Sequence, residues 1–203
     1  KHIVTLGMMA DHSEKISKVI GTDEIEMMFE DDFEEDNKKL AQIKEDFSYA
    51  DKHLWITSFL YGLLRPLDLI HPYRLEGKAK LPSSEGKNMF AYWKPFLTDI
   101  LIEAVKADDG ILVHLATEEF QHLFDWKRLQ KEIRIIQPLF MVDQGSRLKA
   151  VSVYAKSCRG AMTSYILRNQ LASPNDLLSF EYDGFTYHKD YGDENHPHFI
   201  LKT

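Results

Sequence analysis

The spacing of apolar residues along the chain predicts three long helices. Apolar side chains recur every three to four residues over 46–62 and again over 88–106. The same spacing predicts a helix over 157–170. A short fourth helix is expected to begin at Ser173, because serine is a favoured N-terminal cap and Pro174 suits the first turn.

Apolar runs between these helices predict strands. Residues 111–116 form a continuous apolar run, which is typical of a strand buried on both faces. Further strands are predicted over residues 134–142, 148–154, 180–187 and 199–201, and residues 3–6 form a short apolar run. The intervening residues 143–146 are a hairpin signal. Strands and helices are mixed without repeats or a regular βαβ rhythm, so we expect an α+β fold in a single domain over residues 1–203.

The cysteine content and the absence of long apolar runs narrow the class of protein. Cys158 is the one cysteine in 203 residues, which excludes a disulfide framework and a cysteine-based zinc cluster. No run of eighteen apolar residues occurs, so we expect no membrane partner and a cytoplasmic location. The chain begins with Lys1 rather than methionine, and we expect that an N-terminal piece is missing.

The formal net charge of -7 conceals an uneven distribution. Residues 1–53 hold 7 Lys and no Arg against 14 acidic residues, whereas basic and acidic residues balance over 54–203. Within the balanced part, residues 127–168 carry nine basic residues and two acidic ones. A local positive excess of this size is typical of a surface that binds phosphates.

Two candidate phosphate-binding groups lie in this basic stretch. Members of the first share one broad face if residues 121–133 are helical. They are Lys127, Arg128, Lys131 and Arg134. In the second, Lys156 and Arg159 are expected at a strand-to-helix junction before Gly160, where backbone N–H groups and two cations favour a phosphate. The alternative is that all of these cations are scattered charges facing solvent.

A connector over residues 63–74, held rigid by Pro66 and Pro72, carries a further set of charges together with the two residues that follow it. These charged residues are Arg65, Asp68, Arg74 and Glu76. In one interpretation the two arginines contact phosphates or another anionic ligand. In the other, Arg–carboxylate pairs form an internal network that fixes the loop, which is a common use of such pairs.

No standard catalytic or cofactor motif is present, so we assign no catalytic residue, cofactor or metal site. The carboxylate run 31–36 is interpreted as a solvated segment. His196 and His198 lack a defined third ligand and are a weak metal signal. His114 is interpreted as a hydrogen-bonded core histidine. Cys158 has two cations as neighbours, but we favour a buried structural thiol over a reactive thiolate.

The order of several short motifs resembles the YaaA family of peroxide-stress-response proteins. The motifs are Tyr61-Gly62-Leu63-Leu64-Arg65-Pro66-Leu67-Asp68-Leu69, Pro72-Tyr73-Arg74-Leu75-Glu76, Tyr92-Trp93, Leu115-Ala116-Thr117-Glu118-Glu119 and Tyr154-Ala155-Lys156-x-x-Arg159-Gly160-x-Met162. The resemblance covers about residues 44–190 and leaves a divergent acidic part over 1–43.

The resemblance implies a cytoplasmic bacterial protein of the hydrogen peroxide stress response, associated with DNA repair and with limiting damage from free iron. It implies double-stranded or branched DNA as the partner, bound without sequence preference. It also implies a mixed α/β fold with a cationic cleft and a helix-hairpin-helix-like element. The matching cations are Arg65, Arg74, Lys156 and Arg159. Supporting residues are Tyr61, Gly62, Asp68, Tyr73, Glu76, Glu118, Glu119 and Gly160.

The chain departs from the family pattern in three places. The family's N-terminal Ser-Pro-Ala-Lys-like motif is absent. A Lys-Gly-Asp-Val-Tyr-like stretch corresponds to residues 30–34, which lack its cation and glycine. Phe59 stands where a small residue is usual, in the turn expected to form the hairpin. The acidic N-terminal third is expected to weaken DNA binding or to screen the cleft.

Three functions follow from these observations. The first is a non-enzymatic DNA-binding protein that neutralises phosphates. The second is an enzyme acting on a nucleotide or nucleic acid, in which Asp68, Glu118 and Glu119 face the cations as acid/base groups or Mg²⁺ ligands. The third is iron sequestration through carboxylates, His196 and His198. The sequence favours the first and supports the third least.

Overall fold

The computed structural model describes residues 3–7, 45–82, 85–145 and 147–202, with the backbone alone for residues 3–7. The strands are β1 Ile3–Gly7, β2 Leu54–Ser58, β3 Gly62–Leu64, β4 Ile111–His114, β5 Arg134–Ile136, β6 Leu139–Asp143, β7 Leu148–Lys149, β8 Thr186–Gly192 and β9 Pro197–Lys202. The α-helices are α1 over residues 45–53, α2 Met89–Ala107, α3 Trp126–Glu132 and α4 Ser152–Asn169. Two 3₁₀ helices cover Glu118–Leu123 and Pro174–Ser179. The fold is therefore mixed α/β, as expected.

The first sheet has the strand order β3-β2-β1-β4-β5. Strand β1 pairs in parallel with both β2 and β4, and β5 pairs in parallel with β4. Only β3 runs antiparallel to its neighbour, β2. Parallel neighbours need long crossover connections, and α2 and α3 lie in the connections that lead to β4 and β5.

Both faces of this sheet are covered by apolar side chains. On one face, Ile56 and Val113 belong to a core cluster with Met162 of α4. On the other, Leu112 belongs to a second cluster with Leu101 of α2 and further side chains of α3. Strands covered on both faces carry continuous apolar runs instead of alternating ones. This explains why the sequence of β4 contains no polar residue before its last position.

The second sheet has the strand order β7-β6-β9-β8 and shares its core with α4. Residues 137–138 alone separate β5 of the first sheet from β6 of the second. The Gln137 N–H donates to the Asn195 carbonyl oxygen at 2.7 Å. Arg134 donates to the Asn195 side chain at 2.9 Å. The turn between β8 and β9 is thereby tied to β5.

The expected helix over 46–62 is wrong beyond residue 53, because the chain enters β2 at Leu54. Five of the seven residues from Leu54 to Leu60 are apolar, and their spacing satisfies either period. Pairing with β1 decides the outcome in favour of a strand, and Ile56 and Thr57 are β-branched residues that suit one.

The expected strand over 148–154 is likewise wrong in its second half. Strand β7 ends at Lys149 after pairing two residues with β6, and α4 begins at Ser152. Tertiary packing overrides the strand preference here, because helical spacing brings Ala155, Cys158 and Met162 together in the core.

The helix over 88–106 and the short helix after Ser173 are confirmed. The latter has a complete capping box.

The segment around Phe59 is a turn between two antiparallel strands and not between two helices. It therefore does not form the expected helix-hairpin-helix. Phe59 itself is buried and stacks on Phe120 with ring centroids 4.5 Å apart.

No helix within the described ranges is long and apolar enough to span a membrane.

Gly62 should be the least replaceable glycine of the first sheet. Its φ is +79°, and an added Cβ would lie 3.0 Å from the Trp93 ring. We expect Gly62→Ala to lower the free energy of unfolding by about 2–4 kcal/mol, from left-handed strain and from overpacking. Chemical denaturation followed by circular dichroism measures this.

Gly110→Ala is the matched control, because Gly110 also has a φ of +79° but open space at its Cβ position. It should cost only the backbone strain, about 1–2 kcal/mol. Equal losses in the two variants would mean that the contact with Trp93 contributes nothing.

Candidate functional site

The carboxyl ends of the parallel strands bring three positions together. Strands β2, β1 and β4 end at Ser58, Gly7 and His114, side by side along one edge. The chain passes from β1 to β2 on one side of β1 and later reaches β4 on the other side. Such a change of direction opens a crevice, and ligands of α/β sheets bind at the carboxyl edge beside it. We call this edge the carboxyl edge.

His114 lies buried at this edge and carries no charge. Its ring centroid is 4.7 Å from that of Trp126, the first residue of α3. Burial, with a smaller contribution from the positive charge of Arg159, lowers the pKa of His114 to about 3. The interpretation as a core histidine is correct. The ring contact places the start of α3 at the end of β4, and the electrostatic effect of Arg159 indicates that α4 passes near it.

Two tyrosines fix the connector to the carboxyl edge through hydrogen bonds to other residues. The Tyr73 hydroxyl is hydrogen-bonded to the Ser58 hydroxyl, and the Ser58 oxygen also accepts the Tyr61 N–H at 3.0 Å. The Tyr61 hydroxyl accepts the His71 N–H at 3.1 Å. These hydrogen bonds fix both tyrosines. Arg74 is exposed and follows Tyr73, so it lies on a fixed loop.

Arg65 lies at the opposite edge of the sheet. Its guanidinium donates to the carbonyl oxygens of Asp51 at 2.8 Å and Lys52 at 3.2 Å, and it stacks 3.7 Å from the centre of the Trp55 ring. It thus satisfies carbonyls at the end of α1. Burial lowers its pKa, against the charges of Asp51 and Asp68.

Asp68 also has a structural contact, because its carboxylate accepts the Arg65 N–H at 2.7 Å. The two residues close a turn through this backbone contact, and the Arg65 guanidinium binds carbonyl oxygens instead of the carboxylate that the loop-fixing interpretation expected. Strand β2 has five residues, so its two ends lie about 13 Å apart. Arg65 therefore does not join the cations near the end of β4. Glu76, just after the connector, is exposed.

The first basic group divides into paired and unpaired cations. Arg128 contacts Asp99 at 2.6 Å and Glu132 at 2.7 Å, and Arg134 contacts Glu194 at 3.2 Å. Their charges are largely compensated by these carboxylates. Lys127 and Lys131 are exposed and have no ion pair with any residue in the described ranges. The expected helix 121–133 is in fact a 3₁₀ helix followed by the short α3.

Lys156, Arg159 and Gly160 lie inside α4, which corrects the expected junction. The helix begins at Ser152, so the backbone N–H groups near Lys156 are used within the helix. The backbone part of that phosphate site is therefore wrong. The side chains remain available: Lys156 is exposed, and Arg159 is half-buried within electrostatic reach of His114. Gly160 has open space at its Cβ position.

The carboxylates and histidines considered as possible metal ligands lie in different parts of the structure. Glu118 and Glu119 are exposed in the first turn of the 3₁₀ helix that follows β4. His196 contacts Asp193 at 3.0 Å, and His198 contacts the His196 carbonyl oxygen. Among the described residues no group of three or more His, Cys, Asp or Glu is placed to hold a metal. The carboxylate run 31–36 lies outside the described residues.

A groove of about 540 Å³ lies between α2 and the 3₁₀ helix–α3 segment. Its lining residues are Asn88, Phe90, Ala91, Lys94, Pro95, Thr98, His122, Asp125 and Arg128. Apart from Arg128, none of these residues belongs to a site predicted from the sequence. One signal was available, because Pro95 interrupts the hydrogen bonding of a predicted helix and so marks an irregular surface.

Comparison with known proteins gives one family. A family model described as "Peroxide stress protein YaaA" matches residues 36–191. A UPF0246 protein of Phocaeicola vulgatus is 50% identical over 157 residues, which are 77% of this chain and 62% of that protein. A UPF0246 protein of Bacteroides fragilis is 50% identical over 151 residues, 74% of this chain and 59% of that protein. The chain spans about three fifths of the length of these relatives.

Cys158 should be unreactive in the folded chain. Burial, reinforced by Asp183, raises the pKa of its thiol to about 12. At pH 8 we expect a thiol-specific reagent to react at least about a hundredfold more slowly with the folded than with the unfolded chain. The reaction is followed by absorbance.

The raised pKa of Cys158 also affects stability. The free energy of unfolding should fall as the pH rises through 9, the ordinary pKa at which the unfolded thiol ionises while the folded thiol stays protonated.

The double variant Ser157→Cys/Cys158→Ser is the control, since position 157 is exposed on the same helix. Its thiol should react rapidly in the folded state. Rapid labelling of the unmodified chain would contradict a structural role for Cys158.

Proposed function

Because this chain belongs to the YaaA family of peroxide stress proteins, we propose that it binds the DNA backbone during the hydrogen peroxide response. In this proposal it acts in the cytoplasm, shields duplex or branched DNA, and so limits damage promoted by free iron. Catalysis is not required, since the effect of the protein comes from occupying the phosphates.

The observation that supports this proposal is that four of the cations predicted to bind phosphates have no carboxylate partner among the described residues. Arg74, Lys127, Lys131 and Lys156 are exposed, and no residue in the described part of the chain forms an ion pair with them. An exposed cation without a partner is not offset by a neighbouring carboxylate, so it can neutralise a phosphate. Arg159 adds a charge close to the end of β4.

Phosphate neutralisation accounts for binding without sequence preference. Each cation that contacts a phosphate releases condensed counterions from DNA, so affinity falls steeply with salt. Contacts to phosphates position a protein but do not read bases. Three of the predicted cations have a smaller part in this proposal than the sequence indicated, because their guanidinium groups already have protein partners: Arg65, Arg128 and Arg134.

We expect Lys156→Ala/Arg159→Ala to weaken binding about tenfold or more for every DNA sequence, and to reduce the log–log salt slope by about 2. Fluorescence anisotropy with duplex and four-way-junction DNA across a salt series measures both quantities. Because Arg159 is half-buried, Lys127→Gln/Lys131→Gln serves as a second test at two exposed positions.

The matched control is Lys189→Ala/Lys202→Ala, which removes two exposed charges from the second sheet. It should leave the salt slope nearly unchanged. Absence of DNA binding by the unmodified chain at low salt would refute the proposal. Equal losses in all three variants would indicate a general charge effect instead of a site.

A nucleotide-directed enzyme is the second candidate, favoured by the position of Glu118 and Glu119 in the 3₁₀ helix that follows β4. Carboxylates at the carboxyl edge are suited to bind Mg²⁺ beside a phosphate. In this case we expect Mg²⁺-dependent turnover of a nucleoside triphosphate or of DNA that is lost in Glu119→Gln, measured by chromatography of the products. Turnover that persists in Glu119→Gln would exclude this carboxylate from the reaction.

A further inference from the structure

The groove beside α2 has fixed walls. The Thr98 hydroxyl donates to the Lys94 carbonyl oxygen at 2.8 Å and accepts the Asp125 N–H at 2.9 Å, which joins α2 to the start of α3. Arg128 of α3 holds Asp99 of α2 at 2.6 Å. These contacts cross between the two walls, so the groove is already formed without a ligand.

The floor of the groove is apolar and includes a held aromatic ring. Phe90 packs edge-on against Phe59 at 5.6 Å and against His122 at 5.5 Å. A Cβ at Gly77 would overlap the Phe90 ring, so the loop closes tightly over one side of that ring. Together with Pro95, this floor suits a flat apolar body.

The rim of the groove carries one full positive charge, a carbonyl oxygen without its regular helical donor, and the Asp125 carboxylate, which caps α3 by accepting the Arg128 N–H at 3.2 Å. Lys94 lines the groove and has no ion pair with any residue in the described ranges, whereas Arg128 is compensated by two carboxylates. Pro95 has no N–H, so the Ala91 carbonyl oxygen receives no hydrogen bond from that position of the helix. Ala91 and Pro95 both line the groove.

From this combination we infer that the groove is a binding site for a small molecule with a flat ring and one anionic group. The anion binds Lys94 and is also within the reach of His122, the ring lies on Phe90 and Pro95, and a ring N–H or hydroxyl donates to the Ala91 carbonyl oxygen. A volume of about 540 Å³ falls within the range of small-molecule sites. A nucleoside monophosphate and an aromatic carboxylate both have this chemistry.

Titration calorimetry with adenosine 5′-monophosphate and with benzoate tests the site and separates the two sources. We expect saturable binding of at least one probe, weakened fivefold or more by Lys94→Gln and by Phe90→Leu. Tighter binding of the nucleotide would assign the anion as a phosphate, and tighter binding of benzoate would assign it as a carboxylate. Inorganic phosphate alone should bind more weakly than the nucleotide, because it cannot use the apolar floor.

Lys189→Gln is the matched control, because Lys189 is an exposed lysine of β8 that does not line the groove. It should bind the probe as the unmodified chain does. Absence of saturation by both probes at 10 mM, or the same affinity in Lys94→Gln as in the unmodified chain, would overturn the inference. The site is independent of the DNA proposal, so Lys156→Ala/Arg159→Ala should retain probe binding.

Discussion

The parallel pairing of β1 with both β2 and β4 is the interaction on which the rest of the structure depends. It places a strand from the start of the chain between strands that begin about fifty and one hundred residues later. Parallel pairing aligns the carboxyl ends of all three strands, and burial on both faces requires helices above and below. The proximity of Ser58, His114 and the start of α3 is a consequence of this one arrangement.

Much of the fold could be predicted from the sequence because local and tertiary preferences agree there. Helix α2 has an apolar stripe, an Asn88 cap and a glycine beyond its end, and it was predicted within one residue at each terminus. Two of the failures fall where a largely apolar or β-branched stretch satisfies two periods. At Leu54 and at Val153 the partner elements decide between helix and strand, and a single sequence does not contain that information.

The sequence shows which residues of the candidate site are cations. It does not show which of these cations are already paired within the folded chain. The sequence marks Arg65, Arg128 and Lys127 as equivalent cations, yet only the folded chain distinguishes them. Arg65 meets carbonyls exposed by the end of α1, and Arg128 meets carboxylates contributed by α2 and α3. These partners are close in space and distant in sequence, apart from Glu132. Net charge over a window therefore overestimates the charge that a ligand can use.

The connection between the two sheets has a mechanical consequence. Residues 137–138 are too few to act as a flexible hinge, and Arg134 and Gln137 bind the turn between β8 and β9 from both ends of β5. A displacement of the second sheet would have to stretch these hydrogen bonds or pull β5 away from β4. The two sheets should therefore move together as one rigid unit. A force applied at the turn between β8 and β9 would then be transmitted directly to β5.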